Sequence, residues 1–406
     1  RGKKRAEAAG GGAAQAQGLR RAGRNEEAAA AYRRYLQRNS GDADAWRGLG
    51  LCHIALDRLD DAGYCFWQAL KHRPASLPLM MQLGDVLVRT GDMERAATVF
   101  EHMTKQHPGE ARAYLSLSAV QRELGQEELA AATLKIGVAK NPISIQSSLR
   151  APEARILRLR GVQNAYYNVI SGNSNWLRLR GGNFSSSALW DQSRFTTINF
   201  LIADENILSH GRIPSHQIVV NSIADADLES RSLAAAARYL ADHPGIPVIN
   251  DPGQVLNSTR DNNYERLKDT AGVRFPKTLR LDWQPERPFV VGDILRREAL
   301  DLPVILRRTG THTAVSTVKA DSLAEVETYF AAARAGDYYV IEYVLHRFRA
   351  DYFRKMRAFF IDGEIYPVVH HVDTVWNVHG FNRTTVMANT KWMQDLEEAY
   401  VNNPAA

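Results

Sequence analysis

Residues 43–76 have the sequence ADAWRGLGLCHIALDRLDDAGYCFWQALKHRPAS, and the next 34 residues, 77–110, have the sequence LPLMMQLGDVLVRTGDMERAATVFEHMTKQHPGE. When the two stretches are aligned, small, bulky and turn-forming residues fall in the same places. The matching positions are Trp46 and Met80, Gly50 and Gly84, Ala62 and Ala96, Phe66 and Phe100, and Pro74 and Pro108. A fixed period that keeps three kinds of residue in phase indicates a repeat architecture.

The register continues on both sides of these two stretches. The further matching residues are Ala28 and Ala130, Tyr32 and Leu134, Tyr114, and Pro142. Each unit is predicted to be two antiparallel helices, because small residues allow close packing and proline ends the second helix. The units resemble the tetratricopeptide repeat. The resemblance implies an all-α solenoid of four repeats over residues 9–144, with units 9–42, 43–76, 77–110 and 111–144.

Such an array is expected to bind a peptide or protein partner on the concave face that its first helices form. Arg47, Arg89 and Arg122 fall on first helices and are candidates for contact with an anionic peptide. The alternative is that they are ordinary solvated arginines. Cys52 and Cys65 are predicted to be packed in the core of the second unit, since buried cysteine behaves as a small apolar residue.

Composition narrows the class of protein. The chain has 406 residues, of which 45% are hydrophobic and 24% charged, so a soluble globular protein of two or three domains is expected. No apolar run is long enough to span a membrane. The net charge of +6 comes from interleaved acids and bases, which disfavours nucleic acid as a partner. Two cysteines cannot form a disulfide framework, and a cytoplasmic location is expected.

The pattern changes from helical to mixed at about residue 153. Residues 1–8 are predicted to be a basic tail and residues 145–152 a linker. Strands are predicted at 154–160, 195–203 and 217–220, with a helix over 227–242. Strands that alternate with helices favour a parallel sheet covered on both faces. The polar stretch 181–187, GGNFSSS, is a weak candidate for an anion-binding loop.

The second half of the mixed region continues with short strands and loops. A strand and turn are predicted at 246–252, followed by a helix in the stretch 257–267 and a strand at 273–281. A buried strand joins a loop of small polar residues within 302–314. A second buried strand covers 338–344, and 353–369 is predicted to be a hairpin with Asp362-Gly363 at its turn.

This succession resembles the ATP-grasp superfamily, in particular its glutathione synthetase and ribosomal-protein-modifying (RimK-type) ligase branch. The motifs are the step Asn250-Asp251-Pro252 before the RDNNYERL helix, Pro303-Val-Ile-Leu-Arg-Arg308, and Ile341-Glu-Tyr-Val344. The resemblance implies an α/β ligase with a Rossmann-like pre-ATP-grasp domain at 153–270, a small subdomain at 271–345, and a C-terminal subdomain at 346–406 that is incomplete. It also implies the reaction: ATP phosphorylates a small carboxylate substrate, and an amine displaces phosphate to give an amide.

The same resemblance implies the site residues, with ATP and Mg²⁺ as the cofactors. Arg266 and Arg307 would bind ATP phosphates, and Arg307, Lys355 and Arg357 would be the catalytic cations. A loop over the triphosphate would consist of Thr309, Gly310, Thr311 and His312. The hinge facing adenine would consist of Glu342, Tyr343 and Val344. A homodimer is compatible with this branch.

Two departures keep a second interpretation open. Arginine stands at positions 266 and 307, where the family usually has lysine, and the two are not equivalent at a tight site. No Asp followed by Glu-x-Asn lies between Trp392 and the last residue, so the metal ligands are unknown. Ligation by His312, His370, His371 and His379 is disfavoured, because adjacent residues on a strand point to opposite faces. Either the chain is cut before its metal site, or the protein is a non-catalytic scaffold with a degenerate nucleotide-binding domain.

Overall fold

The chain divides into two compact units, residues 1–257 and 258–406. The structure is a computed structural model that describes residues 2–170, 176–184, 190–203, 206–209, 213–286, 290–311, 317–349 and 351–402. None of the helices in these ranges is both long and apolar enough to cross a membrane.

Eight helices in four antiparallel pairs make up the start of the first unit, one pair for each predicted repeat. They are α1 (Gly2–Arg21), α2 (Asn25–Leu36), α3 (Ala43–Ala55), α4 (Leu59–His72), α5 (Leu77–Thr90), α6 (Met93–Gln106), α7 (Ala111–Glu123) and α8 (Glu127–Lys140). Helix α1 includes residues 2–8, which were predicted to be a basic tail, so this basic segment is helical. The alanines after this basic run favour continuation of the helix.

The repeat positions pack as their sizes predict. Phe66 and Phe100 are fully buried, and their rings lie over Gly50 and Gly84 of the preceding helices. A Cβ atom at Gly84 would lie 2.5 Å from Cε1 of Phe100, so only glycine allows this approach. Cys52 and Cys65 are buried, as predicted, and burial raises the pKa of the Cys65 thiol to about 12. The repeat register therefore corresponds to real contacts between helices.

Replacing Gly84 by alanine should lower the free energy of unfolding by about 1–3 kcal/mol, because the added methyl group would overpack against Phe100. Gly109→Ala is the matched control, since a Cβ atom there has no neighbour within 4 Å. The control should change stability by no more than about 1 kcal/mol. Urea unfolding followed by circular dichroism measures both. Equal effects from the two substitutions would contradict this packing of Gly84 against Phe100.

A five-stranded sheet follows the repeats within the first unit. Its spatial order is β1 (Ile143–Gln146), β5 (Phe195–Ile202), β2 (Ala154–Gly161), β6 (Ile218–Asn221) and β7 (Val248–Ile249). Strand β1 is antiparallel to β5, and the other neighbours are parallel, which confirms the predicted parallel sheet. Helix α10 (Ser230–Asp242) covers one face, and α8 contributes to the apolar cluster on the other. The short helices α9 (Asn206–Ser209) and α11 (Pro252–Leu256) complete this part.

The predicted linker begins inside strand β1. Residues 143–146 pair with β5, so the chain enters the sheet almost directly after α8. A separate hairpin of β3 (Tyr166–Val169) and β4 (Leu177–Arg180) was not predicted. It leaves the sheet after β2 and lies against α7 and α8. The repeats and the sheet consequently share one compact unit.

The second unit holds a four-stranded antiparallel sheet and a separate three-stranded sheet. The sheet has the order β10 (Val318–Ala320), β9 (Val304–Arg308), β11 (Gly336–Glu342) and β8 (Thr278–Trp283). Helices α13 (Val291–Arg297) and α14 (Leu323–Ala331) pack on it. The remaining elements are α12 (Arg260–Leu267), β12 (Arg347–Phe348), β13 (Tyr352–Ile361), β14 (Glu364–Asp373) and α15 (Lys391–Asn402).

Two strand boundaries in this unit differ from the prediction. The strand expected at 273–281 is β8, which begins only at Thr278, because Pro276 has no N–H to donate to a ladder. The strand expected at 338–344 is β11 and ends at Glu342. The predicted hairpin turn is confirmed: Asp362 and Gly363 have φ of 51° and 82°, as a two-residue turn of this kind requires.

Candidate functional site

The β3–β4 hairpin covers the first-helix surface, the surface formed by α5 and α7, in the last two repeats. Trp176, at the start of the returning strand, is 2% exposed and belongs to the core of the repeats. Its ring lies 6.1 Å from that of Phe100, and its Nε1 donates a hydrogen bond of 3.1 Å to Oδ1 of Asp85. Burial raises the pKa of Asp85, and Arg112 and the indole donor oppose that rise.

The outgoing strand of the hairpin is held on α7. The guanidinium of Arg122 stacks 3.7 Å from the ring centre of Tyr166. The backbone N–H of Val169 donates to Oε1 of Glu123 at 3.2 Å. Tyr167 and Val169 pack against the apolar core of the repeats. The chain itself therefore occupies the α5 and α7 part of the surface on which a partner peptide was expected.

The three arginines predicted to meet an anionic peptide are engaged within the chain instead. Nε of Arg47 donates to Oε1 of Gln82 at 3.0 Å. Arg89 pairs with Asp57 at 3.5 Å. Arg122 pairs with Glu127 at 3.5 Å besides stacking on Tyr166. Each of the three arginines therefore has a partner within the chain, and their contact with an anionic peptide stays a prediction.

A second candidate site lies in the C-terminal unit, where the charges of three arginines on three different elements all act on Lys355. This cationic cluster consists of Arg260 at the start of α12, Arg307 on β9, and Lys355 and Arg357 on β13. Lys355 and Arg357 are two apart on a strand, so they share a face, as predicted. Among the described residues, Arg260, Lys355 and Arg357 form no ion pair with a carboxylate.

The electrostatics of the cluster centre on Lys355. Burial lowers the pKa of this partly buried ammonium, and the charges of Arg357, Arg260 and Arg307 lower it further. Like charges in a partly desolvated site repel one another. A bound anion would offset this repulsion, so the cluster favours anion binding.

The loop after β9 is only partly described. The N–H and the hydroxyl of Thr309 both donate to the carbonyl of Asp337, at 3.0 and 3.1 Å, so this amide already has an acceptor within the protein. Thr311 accepts a hydrogen bond of 3.2 Å from Nη2 of Arg307 and donates one to the carbonyl of Arg308. Gly310 has a φ of +69°. His312 lies outside the described residues.

Most polar groups of the predicted hinge form hydrogen bonds within the protein. The carboxylate of Glu342 accepts from the N–H of Lys277 at 3.0 Å and from Arg274 at 2.6 Å, and these donors lower its pKa. The N–H of Glu342 donates to the carbonyl of Lys277, and that of Tyr343 donates to the carbonyl of Pro303. The amide of Val344, just beyond the strand, has no protein acceptor in the described part of the chain.

A cavity of about 420 Å³ adjoins the hinge. Its walls include Tyr264 and Lys268 of α12 together with Lys277, Pro303 and Tyr343. Besides the two lysines, its lining includes the carboxylates of Asp269, Asp301 and Glu342. It is large enough for a planar ring of the size of a nucleobase.

One predicted phosphate ligand is not brought into the cluster. Arg266 lies exposed on α12, and no contact of the described residues joins it to Arg307. The charge of Arg260, at the other end of the same helix, instead helps to lower the pKa of Lys355. Sequence reasoning missed Arg260 because both arginines belong to the quoted RDNNYERL stretch, and the choice between them depends on the orientation of the helix.

The described ranges contain no group of three or more His, Cys, Asp and Glu side chains that could hold a metal ion. His370 and His371 are both buried on β14, and Nε2 of His371 lies 3.6 Å from Oε1 of Glu397. Burial lowers the pKa of both histidines. Glu397 also pairs with Arg383 at 3.0 Å, so this carboxylate already serves structural contacts.

Comparison with known proteins identifies the helical region. Residues 13–75 and 81–142 match the family model described as "Tetratricopeptide repeat". The N-terminal region is a tetratricopeptide repeat array. Such repeats are protein-interaction modules whose stacked units form extended binding surfaces. The match ends at residue 142, so the resemblance of the mixed α/β region to ATP-grasp ligases stays a prediction.

Solved structures similar to the chain cover about a third of its length. "Crystal structure of MamA" is 20% identical, covers 31% of this chain and 73% of its own, and has a TM-score of 0.29. "MamA 41-end from Desulfovibrio magneticus RS-1" is 24% identical, covers 33% and 76%, and has a TM-score of 0.31. Likenesses at this level carry no argument about function. No curated protein matches the chain.

Proposed function

We propose that this chain is an ATP-dependent carboxylate–amine ligase of the ATP-grasp type, with a repeat array that binds a protein partner. The observation that supports the enzymatic part is the cationic cluster, in which the charges of Arg260, Arg307 and Arg357 all act on the partly buried Lys355. Phosphoryl transfer needs fixed positive charge more than a nucleophilic side chain, since the developing charge lies on phosphoryl oxygens.

The proposed reaction has two steps, phosphorylation of the carboxylate and then formation of the amide. A substrate carboxylate oxygen attacks the γ-phosphorus of ATP, the bond to the bridging oxygen breaks, and ADP leaves. The lone pair of an amine then attacks the acyl carbon, phosphate departs with the carbon–oxygen electrons, and the amine loses a proton to give the amide. Arg307 and Lys355 would hold the phosphoryl oxygens, and Arg260 and Arg357 would add long-range positive potential.

Nucleotide orientation would come from the hinge. The Val344 amide is a donor for a ring nitrogen, and the cavity beside Tyr343 would receive the base. Magnesium is a further expectation of the family, but the described residues do not provide a matching set of carboxylates. No step of the reaction is assigned to the metal.

The repeats would bind their protein partner outside the surface that the hairpin covers. The first helices α5 and α7 are occupied by the chain's own strands, whereas α1 and α3 carry no such cover from the described residues. We expect the partner to contact the first two repeats or the second helices. A small acid or amine substrate would be bound separately.

Titration calorimetry of ATP, with and without magnesium, tests the enzymatic part. The unmodified chain should bind ATP, and Lys355→Met should weaken binding by about tenfold or more. Burial depresses the folded-state pKa of Lys355 below the unfolded value, so its charge destabilises the fold at neutral pH, and this penalty disappears as the pH rises toward the unfolded value. The variant should therefore be as stable as the original, or more so.

The scaffold alternative makes the opposite prediction. If the α/β region is a degenerate remnant, ATP produces no binding heat with either protein, and Lys355→Met changes only stability. Absence of heat in the unmodified chain, at concentrations where the protein is folded by circular dichroism, would exclude the ligase proposal. The repeat array would then be the functional part.

A further inference from the structure

Two arginines lie side by side on the central strand of the first unit's sheet. Leu157 and Leu159 of β2 face α10 and are fully buried, so Arg158 and Arg160 point to the opposite face. Both arginines are partly buried. They belong to the basic–apolar stretch ILRLRG, whose arginines are expected to be solvated when such a strand lies at a surface.

The protein satisfies only a small part of their hydrogen-bonding capacity. Arg158 donates from Nε to Oγ of Ser222 at 2.9 Å and from Nη2 to the carbonyl of Phe184 at 3.4 Å. Arg160 donates from Nη2 to the carbonyl of Leu179 at 3.4 Å, and its buried Nε has no acceptor among the described residues. A guanidinium offers five N–H donors, so most of those on the pair are unused in the described part of the chain.

All of these acceptors are neutral oxygens. Within the described ranges neither arginine pairs with a carboxylate. Burial lowers the pKa of Arg158 to about 10, with the charge of Arg160 as the second cause, and burial also lowers the pKa of Arg160. Two like charges at neighbouring positions in an apolar setting are unfavourable unless an anion joins them.

Neighbouring groups hold the two guanidinium groups in place for such an anion. The carbonyls of Leu179 and Phe184 fix the two guanidinium planes from the hairpin side, and Ser222 fixes Arg158 from the end of β6. Tyr167, whose hydroxyl is a potential donor, lies near Arg160: burial raises the pKa of this phenol, and the charge of Arg160 opposes that rise. Planar guanidinium forks bind carboxylate and phosphate oxygens in pairs.

We propose that Arg158 and Arg160 form a binding site for a small oxyanion, a carboxylate or a phosphate group. The site lies in the first unit and uses no residue of the cationic cluster. It consequently does not depend on the proposed ligase activity. The competing explanation is that the arginines only tie the hairpin to the sheet through the carbonyls of Leu179 and Phe184.

Calorimetric titration of the full chain with inorganic phosphate and with succinate, at low ionic strength, tests the site and distinguishes the two sources of oxyanion. Arg158→Gln and Arg160→Gln should each weaken binding of the preferred anion by about tenfold or more. Arg178→Gln and Arg180→Gln are matched controls, because these arginines lie exposed on β4, and they should leave binding unchanged. Any phosphate bound by the cationic cluster adds the same binding heat in all four variants, because none of them changes that cluster.

Two further variants cover the case in which a glutamine variant fails to fold. Arg158→Lys and Arg160→Lys keep the charge and the carbonyl contacts within reach but remove the planar fork, so affinity should fall while circular dichroism stays unchanged. Equal affinity in the lysine variants, or equal loss in Arg160→Gln and Arg178→Gln, would overturn the proposal. The same holds if neither anion binds the unmodified chain.

Discussion

Replacing Trp176 by alanine is expected to lower the free energy of unfolding of the first unit by about 3–5 kcal/mol. The indole is 2% exposed and packs on Phe100 within the core of the repeats. Its loss leaves a cavity, and it also removes the donor of the 3.1 Å hydrogen bond to Asp85. Urea unfolding followed by far-ultraviolet circular dichroism would show an earlier transition.

Two variants separate burial from other consequences of removing a tryptophan. Trp67→Ala removes an indole that is 49% exposed on α4 and should cost about 1 kcal/mol or less. Trp176→Phe keeps most of the buried ring but leaves Asp85 without its indole donor, with an expected cost of about 1–3 kcal/mol. If Trp176→Ala and Trp67→Ala proved equally mild, the hairpin would not be anchored on the repeats.

Replacing Arg307 by alanine is expected to weaken ATP binding by about 10- to 100-fold, because it removes the cation of the cluster that lies on β9, a strand paired on both sides. A charge-assisted hydrogen bond to a phosphate oxygen is stronger than a neutral one. The measurement is the calorimetric dissociation constant of ATP. This prediction rests on the proposed nucleotide site.

Arg308→Ala is the matched control for Arg307→Ala. Arg308 is the next residue of the same strand, so its side chain points to the other face, where it is exposed. Its removal should change ATP affinity less than about twofold. The cluster would not be the phosphate site if both variants bound ATP as tightly as the unmodified chain, or if both lost affinity to the same extent.

The repeats could be predicted in detail because their contacts are local. Gly84 meets Phe100 within one 34-residue unit, so the residues that need one another recur at a spacing visible in the sequence. The helical conformation of residues 2–8 has a local cause too, because the alanines after the basic run favour a helix. Pro276 similarly delays the start of β8.

The candidate site was predicted only in part. Arg307, Lys355 and Arg357 were identified, and the structure brings them together. Arg266 was predicted to be a phosphate ligand, whereas the charge of Arg260 is the one that acts on Lys355. The sequence contains no signal for that choice, since it depends on how α12 is turned toward β13. The covering of α5 and α7 was missed as well, because an alternating Leu-Arg stretch indicates a strand but not its neighbour.

By itself, the sequence determined the repeat array, the change to alternating strands and helices, and which residue types were available for anion binding. These features follow from periodicity and chain order, which depend on residues close together in the chain. Only the tertiary structure decided that Trp176 fills the first-helix surface, that Arg260 joins Lys355, and that Arg158 and Arg160 lack a carboxylate partner among the described residues. Burial and charge pairing are properties of the space around a side chain, and elements far apart in the sequence fill that space.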